Sequence, residues 1–468
     1  MIGLERLGVW ITKNPVIIIA VAVLLTLVSV HYAQQIESTG MTTESFVSKD
    51  SSLYQLYDHL YQENFGADGN IILIEGDNVA KADALSASLR LSDHTKMIPN
   101  VISVQSIADI VADAEYQSSG IRRIPSQERI DEILADAGSS VQGLMPDSRH
   151  TRMIVGMPTT ATLTESQRGE LLAEISSAVD FAEFPAGYST TVTGDPSFQA
   201  AIQEVMNNSN GSVLLLCGLL MIVALLLVFR HVRWPLLPLP IVLLGIIWTV
   251  GAMGFFHIPM GMVTFAAFPI MIGLGIDYAI QFHNRIDEEL IKGKSSVEAA
   301  ISTVNHVAIP VAIAVTVTEA GFIALLSSTV PSINDFGKVC MIGLVMCYLS
   351  ALFVNTTVLY LSERKSPRKK KADGHSDDGS AIGAFIENIA NFCVGRWKAV
   401  LAVALILALA GNYADTMVPI ETDTKNYIPQ DLSPLIDLNH MKAFFGGTDS
   451  LKFLVQADDV TDPHNLRW

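Results

Sequence analysis

Seven long apolar segments set the strongest limit on how this chain of 468 residues can fold. Each is close to or above the length, about 20 residues, that a helix needs to cross the hydrocarbon core of a bilayer. Half of all residues are hydrophobic and only 16% are charged. This composition predicts a polytopic α-helical membrane protein rather than a soluble enzyme. The predicted spans cover residues 15–33, 212–229, 235–256, 258–282, 307–330, 339–361 and 397–414.

Basic residues in the short connections predict the orientation of these spans. They lie before the first span and in the connections between spans two and three, four and five, and six and seven: Arg6, Lys13, Arg230, Arg233, Arg285, Lys292, Lys294 and residues 364–371. All four places fall on one side, which the positive-inside rule makes cytoplasmic. The first span lacks a clear small-residue cleavage site, so an uncleaved anchor is favoured over a signal peptide. We therefore expect a cytoplasmic N-terminus and an extracytoplasmic segment 34–210.

The long segment between the first two spans has a mixed α and β pattern. Short apolar runs predict strands near residues 70–75, 101–105, 152–157 and 188–193, and helical stretches lie at 79–97, 126–137 and 165–181. Gly194-Asp-Pro196 should end the last strand and begin a helix that runs into the second span. This β-α-β…β-α-β order predicts an α+β domain of the ferredoxin-like split type.

The charge distribution and the positions of the cysteines limit which partners and cofactors the chain is expected to bind. Residues 34–210 hold 25 acidic against 10 basic side chains, so nearly all of the net charge of −17 lies there. A solvated surface beside anionic headgroups explains this excess, and a field that concentrates cationic ligands is the alternative. The negative sign of this charge disfavours the binding of nucleic acid. None of the four cysteines lies in this segment, their spacing fits no metal site, and no phosphate-binding loop is present, so we expect neither a metal nor coupling to ATP.

One acidic residue, Asp277, stands inside the fourth apolar run. An Asp near the centre of a span costs about 2.5–3.5 kcal/mol even on the milder scales. Counted back from Arg285 at ~1.5 Å per residue, its Cα lies ~12 Å inside the bilayer. Such an acid is expected to face the interior of the bundle, where it can bind and release protons. The alternative is a structural acid bonded to backbone.

Four further residues around this position belong to the same hypothesis. Tyr278 could carry a proton or donate a hydrogen bond, or could be an interior aromatic residue. Gly273 lies one turn before Asp277, and both Gly273 and Gly275 leave room for close helix packing. Glu319 in the fifth span is a second intramembrane acid at similar depth. It could take part in proton transfer, face a water-filled groove, or cap a distortion near Gly321.

An internal repeat predicts that the last residues of the chain begin a second copy of the first unit. With a shift of 381 residues, Phe46-Val-Ser-Lys-Asp50 aligns with Tyr427-Ile-Pro-Gln-Asp431, Ser52 with Ser433, and residues 72–75 with 453–456. We therefore expect an N-terminal portion of a protein about twice as long, or a frameshift product. The predicted divisions are the first anchor (1–33), a porter domain (34–210), a five-helix bundle (211–362), a cytoplasmic linker (363–396), a seventh span (397–414) and the start of a second porter domain (415–468).

These features together resemble the resistance–nodulation–division (RND) superfamily. Gly273-Leu-Gly-Ile-Asp-Tyr278 is similar to the fourth-span signature of its mycobacterial-membrane-protein-large (MMPL) branch and of related hydrophobe/amphiphile exporters. Residues 316–325, 333–337 and 194–196 support the resemblance in order along the chain. It implies proton-driven export of lipids or other hydrophobic or amphiphilic molecules, with the proton gradient as the energy source and no bound cofactor.

The resemblance also implies residue roles and partners. Asp277 and Tyr278 would form half of a proton relay, whose other half belongs to a tenth span in a second half of the transporter. Expected partners are membrane lipids, an amphiphilic substrate and that second half; oligomeric state is left open, a homo-oligomer included. The expected location is the plasma membrane of a prokaryote. Two other functions are compatible with this arrangement of spans and soluble domain. One is a lipid-sensing module, since spans two to six resemble a sterol-sensing domain, and the other is an accessory motor for protein export.

Overall fold

The computed structural model describes residues 2–36, 43–48, 50–56, 67–158, 163, 165–228, 234–365, 381–418, 430 and 432–445. The chain divides into two compact units, residues 1–365 with 431–468, and residues 366–430. The predicted basic connections at 230–233 and 366–371, and the repeated strand at 453–456, lie outside the described residues.

The first unit begins with two helices and an α+β part. Helix α1 (Ile2–Lys13) precedes the first span, α2 (Pro15–Ala33), from which it is separated at Asn14. The elements that follow are α3 (Thr43–Phe46), α4 (Ser52–Leu56), β1 (Ala67–Glu75), α5 (Ala82–Thr95), β2 (Ser103–Gln105), α6 (Ile107–Ser119), α7 (Gln127–Ala137), α8 (Ser139–Gln142), β3 (His150–Pro158), α9 (Glu165–Phe181) and β4 (Ser189–Gly194). The four predicted strands correspond to β1–β4.

One antiparallel sheet holds these strands in the order β2-β3-β1-β4. Strand β1 lies at its centre, where Ile72 is paired with Met153 of β3 and with Val192 of β4. Among the described strands, the short edge strand β2 pairs with β3 alone, through residues such as Val104 opposite Val155. The sheet thus brings together strands from both ends of the soluble segment.

Both faces of β1 are buried, because successive side chains of a strand point to opposite faces. Ile72 and Ile74 pack in a cluster with Leu91 of α5 and Ile175 of α9. Ile71 and Leu73 on the other face pack against a helix from the end of the chain, α19 (Ser433–Phe445). The continuous apolar run of β1 is therefore explained by two covered faces rather than by one.

The sheet is joined to the membrane through Gly194 and the long helix α10 (Asp195–Val228). Gly194 has φ +123°, and a Cβ at this position would lie 2.8 Å from the carbonyl oxygen of Gly69. Only glycine fits this close approach in such a conformation. Helix α10 starts at the predicted break and spans ~50 Å, long enough to reach from the soluble part into the membrane.

Among the described residues, seven helices are long and apolar enough to span a membrane, at the seven predicted places. After α2 and α10 the first unit contains α11 (Pro238–Phe255), α12 (Met262–Phe265), α13 (Ala267–Ile291), α14 (Ser296–Leu325), α15 (Pro331–Leu349), a π-helix (Ser350–Asn355) and α16 (Thr356–Lys365). The second unit contains α17 (Ala381–Gly395) and α18 (Trp397–Asp415). The chain is thus a multi-pass membrane protein.

The sixth span forms hydrogen bonds to several other helices of the bundle in the first unit. The Tyr348 hydroxyl donates to the carbonyl of Ala308 on α14, and Ser350 donates to that of Ile241 on α11, at 3.1 and 2.7 Å. Asn355 donates its amide to the carbonyl of Ala279 on α13, at 2.9 Å. Three neighbouring helices are therefore bonded to one stretch that includes the π-helix.

Candidate functional site

Asp277 lies in the middle of α13, and its side chain is exposed. Other exposed residues of this helix recur every three or four positions, so they form one face that we call the α13 stripe. The stripe consists of Ile270, Gly273, Leu274, Asp277 and Gln281. The side-chain amide of Gln281 donates a hydrogen bond to Oδ2 of Asp277 at 2.9 Å. The acid is thus held by its own helix, one turn away.

The expectation that the bundle encloses Asp277 is wrong for the helices that the structure describes in this unit. The buried side of α13 contains Met271, Gly275, Tyr278 and Phe282, and it packs against α11, α14 and α15. Asp277 lies on the other side of the helix. Its carboxylate therefore points away from the six-span bundle rather than into it.

Tyr278 is buried, unlike the neighbouring Asp277. Its side chain is only 4% exposed and belongs to the apolar cluster of the bundle, with Phe282. Its phenol interacts with the hydroxyl of Thr318 on α14, and it lies within electrostatic range of both Asp277 and Glu319. The phenol of Tyr278 is thus close enough to both intramembrane acids to interact with their charges.

Glu319 is buried on α14, with 9% of its surface exposed. Its Oε1 atom has no hydrogen-bond partner among the described residues. Helix α14 continues through Gly321 to Leu325, so Glu319 does not cap a break in the helix near Gly321. A buried carboxylate oxygen without a donor is costly when ionised, whereas a protonated carboxyl is tolerated far better.

The two glycines of the fourth-span motif have different surroundings. A Cβ on Gly275 would lie 2.9 Å from Sγ of Cys347 on α15, so this glycine allows close packing inside the bundle. A Cβ on Gly273 would meet no other described atom within 4 Å. Gly273 thus leaves an indentation on the exposed stripe, one turn from Asp277.

Within the described part of this unit, no basic side chain forms an ion pair with Asp277. The nearest basic residue of the helix, Arg285, lies ~12 Å further along its axis. Its two terminal nitrogens pair with Glu288 at 3.0 Å and Glu289 at 2.8 Å. Among the described residues, the carboxyl of Asp277 therefore has a neutral donor, Gln281, and no cationic partner.

Two residues of this site were missed from the sequence. Gln281 has the spacing of four from Asp277 that places two side chains together on a helix, so this signal was present. Thr318 precedes Glu319, but only the packing of α13 on α14 brings it to Tyr278. In the part of the chain that the structure describes, no group of three or more His, Cys, Asp or Glu is placed to hold a metal ion.

Comparison with known proteins is decisive for the family. A model of the MMPL family matches residues 52–413, which include the α13 motif and the helices α11, α14 and α15 that pack against it. The chain belongs to the MMPL family. The resemblance to the RND superfamily is thereby confirmed.

Relatives of this MMPL chain include named transporters. Siderophore exporter MmpL5 of Mycobacterium tuberculosis is 25% identical over 398 residues, 78% of this chain and 39% of MmpL5. Hopanoid transporter HpnN of Rhodopseudomonas palustris is 27% identical over 143 residues, 30% of this chain and 15% of HpnN. A membrane protein of Methanocaldococcus jannaschii, MJ1562, is 28% identical over 283 residues, 60% of this chain and 71% of that protein. The matches cover less than half of either named transporter.

Proposed function

We propose that this chain is the N-terminal half of a proton-driven exporter of lipids or other hydrophobic or amphiphilic molecules. It would lie in the plasma membrane of a prokaryote, with a cytoplasmic N-terminus and the soluble sheet outside. The membership of the MMPL family and the names of the relatives, a siderophore exporter and a hopanoid transporter, support transport rather than an enzymatic reaction.

The observation that carries the proposal is the position of Asp277 on the α13 stripe. It is a mid-span acid with a neutral donor, exposed beside the indentation at Gly273. In lipid, an ionised carboxylate on such a face is costly, but a protonated one is much less so. A second half that covers the stripe and supplies a partner would give the acid two protonation states of similar free energy. Each transport cycle could then move one proton through it.

Tyr278 and Glu319 extend this proposal into the bundle. Protonation of Asp277 removes a charge that Tyr278 senses, and the phenol lies against Thr318 on the helix that carries Glu319. We assign Asp277 the role of proton carrier and Tyr278 that of a hydrogen-bonding partner. Glu319 would adjust the field on this pair from the buried side.

The soluble part fits a ferredoxin-like porter domain followed by the start of a second copy. The sheet order β2-β3-β1-β4, with α5 between β1 and β2 and α9 between β3 and β4, is that of a split β-α-β unit. Helix α4 begins at Ser52 and α19 at Ser433, the two serines that the repeat aligns. The same unit built twice would enclose a path for substrate between the copies.

The test uses the complete protein with both halves, in inside-out vesicles energised by a pH gradient, with the amphiphilic dye Nile red as transported probe. We expect Asp277→Asn to reduce gradient-driven dye transport to the level of empty vesicles, because the amide binds no proton. Asp335→Asn is the matched control, since Asp335 pairs with Lys338 at 2.8 Å at the other end of a span. Transport by Asp277→Asn at the rate of the unchanged protein would refute the role of this acid.

A further inference from the structure

Helix α1 lies against the bundle in a fixed position at the end of the first span. Its residues Gly8 and Ile11 are buried, and a Cβ on Gly8 would lie 3.0 Å from the backbone Cα of Ile301 on α14. Its opposite face presents Arg6, Trp10 and Lys13, which are exposed and spaced by four and three positions. The close contact at Gly8 therefore sets where these three side chains stand.

A groove of about 250 Å³ begins at Trp10 and runs along α2. Its described lining is entirely apolar and includes Val21, Leu25 and Trp248. The indole N–H of Trp248 is satisfied by Oγ1 of Thr26 at 3.0 Å, so its ring presents only carbon to the groove. Such a wall offers nothing to a polar ligand and suits a hydrocarbon chain.

The opposite wall of the groove comes from the sixth span, where the π-helix contributes Phe353 and Val354. A π-turn widens a helix locally, and such turns occur frequently at functional sites. The hydrogen bond from Ser350 to the Ile241 carbonyl joins this stretch to α11. The groove is thus bounded by helices that are bonded to one another, not by a loose contact.

A second recess, of about 480 Å³, lies on α1 and shares Trp10 with the groove. Four of its six lining residues are polar or charged, and Glu5, Arg6 and Lys13 among them leave an excess of one positive charge. Among the described residues, neither Arg6 nor Lys13 has a carboxylate within 4 Å. A cationic recess and a hydrocarbon groove therefore meet at one tryptophan.

We infer that these two recesses form one binding site for an anionic phospholipid of the adjacent leaflet. Arg6 and Lys13 would contact the phosphate, Trp10 would lie at the level of the headgroup, and one acyl chain would occupy the groove. Charge selects this occupant, because each basic residue near the surface favours an anionic over a zwitterionic headgroup. The basic connections predict that this side is cytoplasmic, and anionic lipids are characteristic of that leaflet. The site does not depend on proton coupling.

The experiment measures phospholipids retained by the purified chain, with native mass spectrometry after exchange into equal amounts of phosphatidylglycerol and phosphatidylethanolamine. We expect phosphatidylglycerol to be retained at least tenfold more strongly. Removing both charges with Arg6→Gln and Lys13→Gln should abolish that preference. Lys398→Gln is the control, since Lys398 is an exposed basic residue at the start of α18.

Blocking the groove tests the acyl-chain part of the site. Val21→Trp places a bulky side chain in the groove and should lower phosphatidylglycerol retention at least tenfold. Val23→Trp is the matched control, because Val23 is on the same helix and 54% exposed, against 56% for Val21, but does not line the groove. If Val21→Trp does not yield folded protein, Leu25→Trp against Leu27→Trp asks the same question.

Three results would overturn the site. Equal retention of the two phospholipids by the unchanged chain would remove the charge selection. An unaltered preference in the doubly substituted chain would exclude Arg6 and Lys13. Equal retention by Val21→Trp and Val23→Trp would mean that the lipid lies on the general apolar surface and not in the groove.

Discussion

The central strand of the soluble sheet and the fourth membrane span differ in how far the described chain covers them. Both faces of β1 are buried, one by α5 and α9 and the other by α19 from the end of the chain. Helix α13 is buried on one side only, and its other side carries Asp277 on an exposed stripe. Strand β1 thus has both of its apolar faces covered within its unit, whereas the described helices of that unit leave the stripe with the mid-span acid uncovered.

The acids Asp109 of the soluble region and Asp277 of the fourth span differ in their bonding partners. Asp109 of α6 accepts hydrogen bonds from Ser92 and Ser106 and pairs with Lys96 and Arg122, both at 2.6 Å. Burial raises the pKa of Asp109, but the hydrogen bond from Lys96, with those from Ser106 and Ser92, outweighs burial and leaves the pKa below its usual 3.8. That carboxylate stays ionised and is structural. Asp277 instead accepts a hydrogen bond from the neutral amide of Gln281, and it forms no ion pair with the described residues.

The largest expected effect concerns the indentation on the stripe. Gly273→Leu would fill the space in which a partner helix could approach Asp277, so we expect gradient-driven transport by the complete protein to fall to the level of empty vesicles. Gly218→Leu is the control, because a Cβ there also meets no described atom within 4 Å, but on α10. Equal transport by the two variants would mean that the stripe at Gly273 needs no partner.

The second effect concerns the covered face of the sheet. Leu438 of α19 is fully buried against Ile71 and Leu73, so Leu438→Ala should weaken the docking of α19 by about 2–5 kcal/mol. Hydrogen exchange of the α19 amides measures this loss directly. The control is Ile436→Ala, since Ile436 is 52% exposed on the same helix. Unchanged exchange in Leu438→Ala would show that α19 does not cover the sheet in solution.

A smaller effect should come from Asp109→Asn. At pH 7 the amide loses the charged hydrogen bonds to Lys96 and Arg122, and we expect the free energy of unfolding to fall by about 1–3 kcal/mol. Because the folded-state pKa of Asp109 is lowered, its contribution is present above the unfolded-state value and is lost as the pH falls through the folded-state value, below 3.8. The difference between the two proteins should therefore shrink toward acid pH.

Chemical unfolding of the two proteins at a series of pH values checks this expectation. Asp136→Asn, at an exposed position on α7, is the control and should change little. A difference between Asp109→Asn and the unchanged chain that stays constant with pH would contradict the structural role of the carboxylate.

The smallest effect is expected from Glu319→Gln. The substitution keeps the shape of the buried side chain but removes its titration, so transport should fall only severalfold while its pH profile shifts. Glu298→Gln is the control, because Glu298 belongs to the capping box at the start of α14, outside the apolar part of the span. A pH profile that does not move would return Glu319 to a purely structural role.

Most elements of this fold were predicted from the sequence because they depend on local pattern, but the helices α6 and α8 of the soluble part were not. The first span was predicted at the residues where α2 begins and ends, and helix α9 likewise, since a proline or a turn marks these boundaries. The break at Gly194 was predicted because glycine followed by Asp-Pro ends a strand and begins a helix. A long segment with a strong apolar pattern is compatible with few other secondary structures.

Long-range features did not follow from local pattern. The direction of Asp277 depends on which side of α13 packs on α11, α14 and α15, and both sides of that helix are apolar enough to lie in lipid or in protein. The π-helix at Ser350–Asn355 contains no glycine or proline that would have marked it in the sequence. The spacing of Leu435, Leu438 and Met441 predicts a buried face on α19, but nothing local says that β1 covers it.

Proton binding by Asp277 is the central claim, and infrared difference spectroscopy of the reconstituted complete protein tests it most directly. The carboxyl stretching band of a protonated acid should grow as the pH falls across the working range of the transporter, and it should be absent from Asp277→Asn. A titrating band of the same size in both proteins would contradict the claim that this residue exchanges the proton.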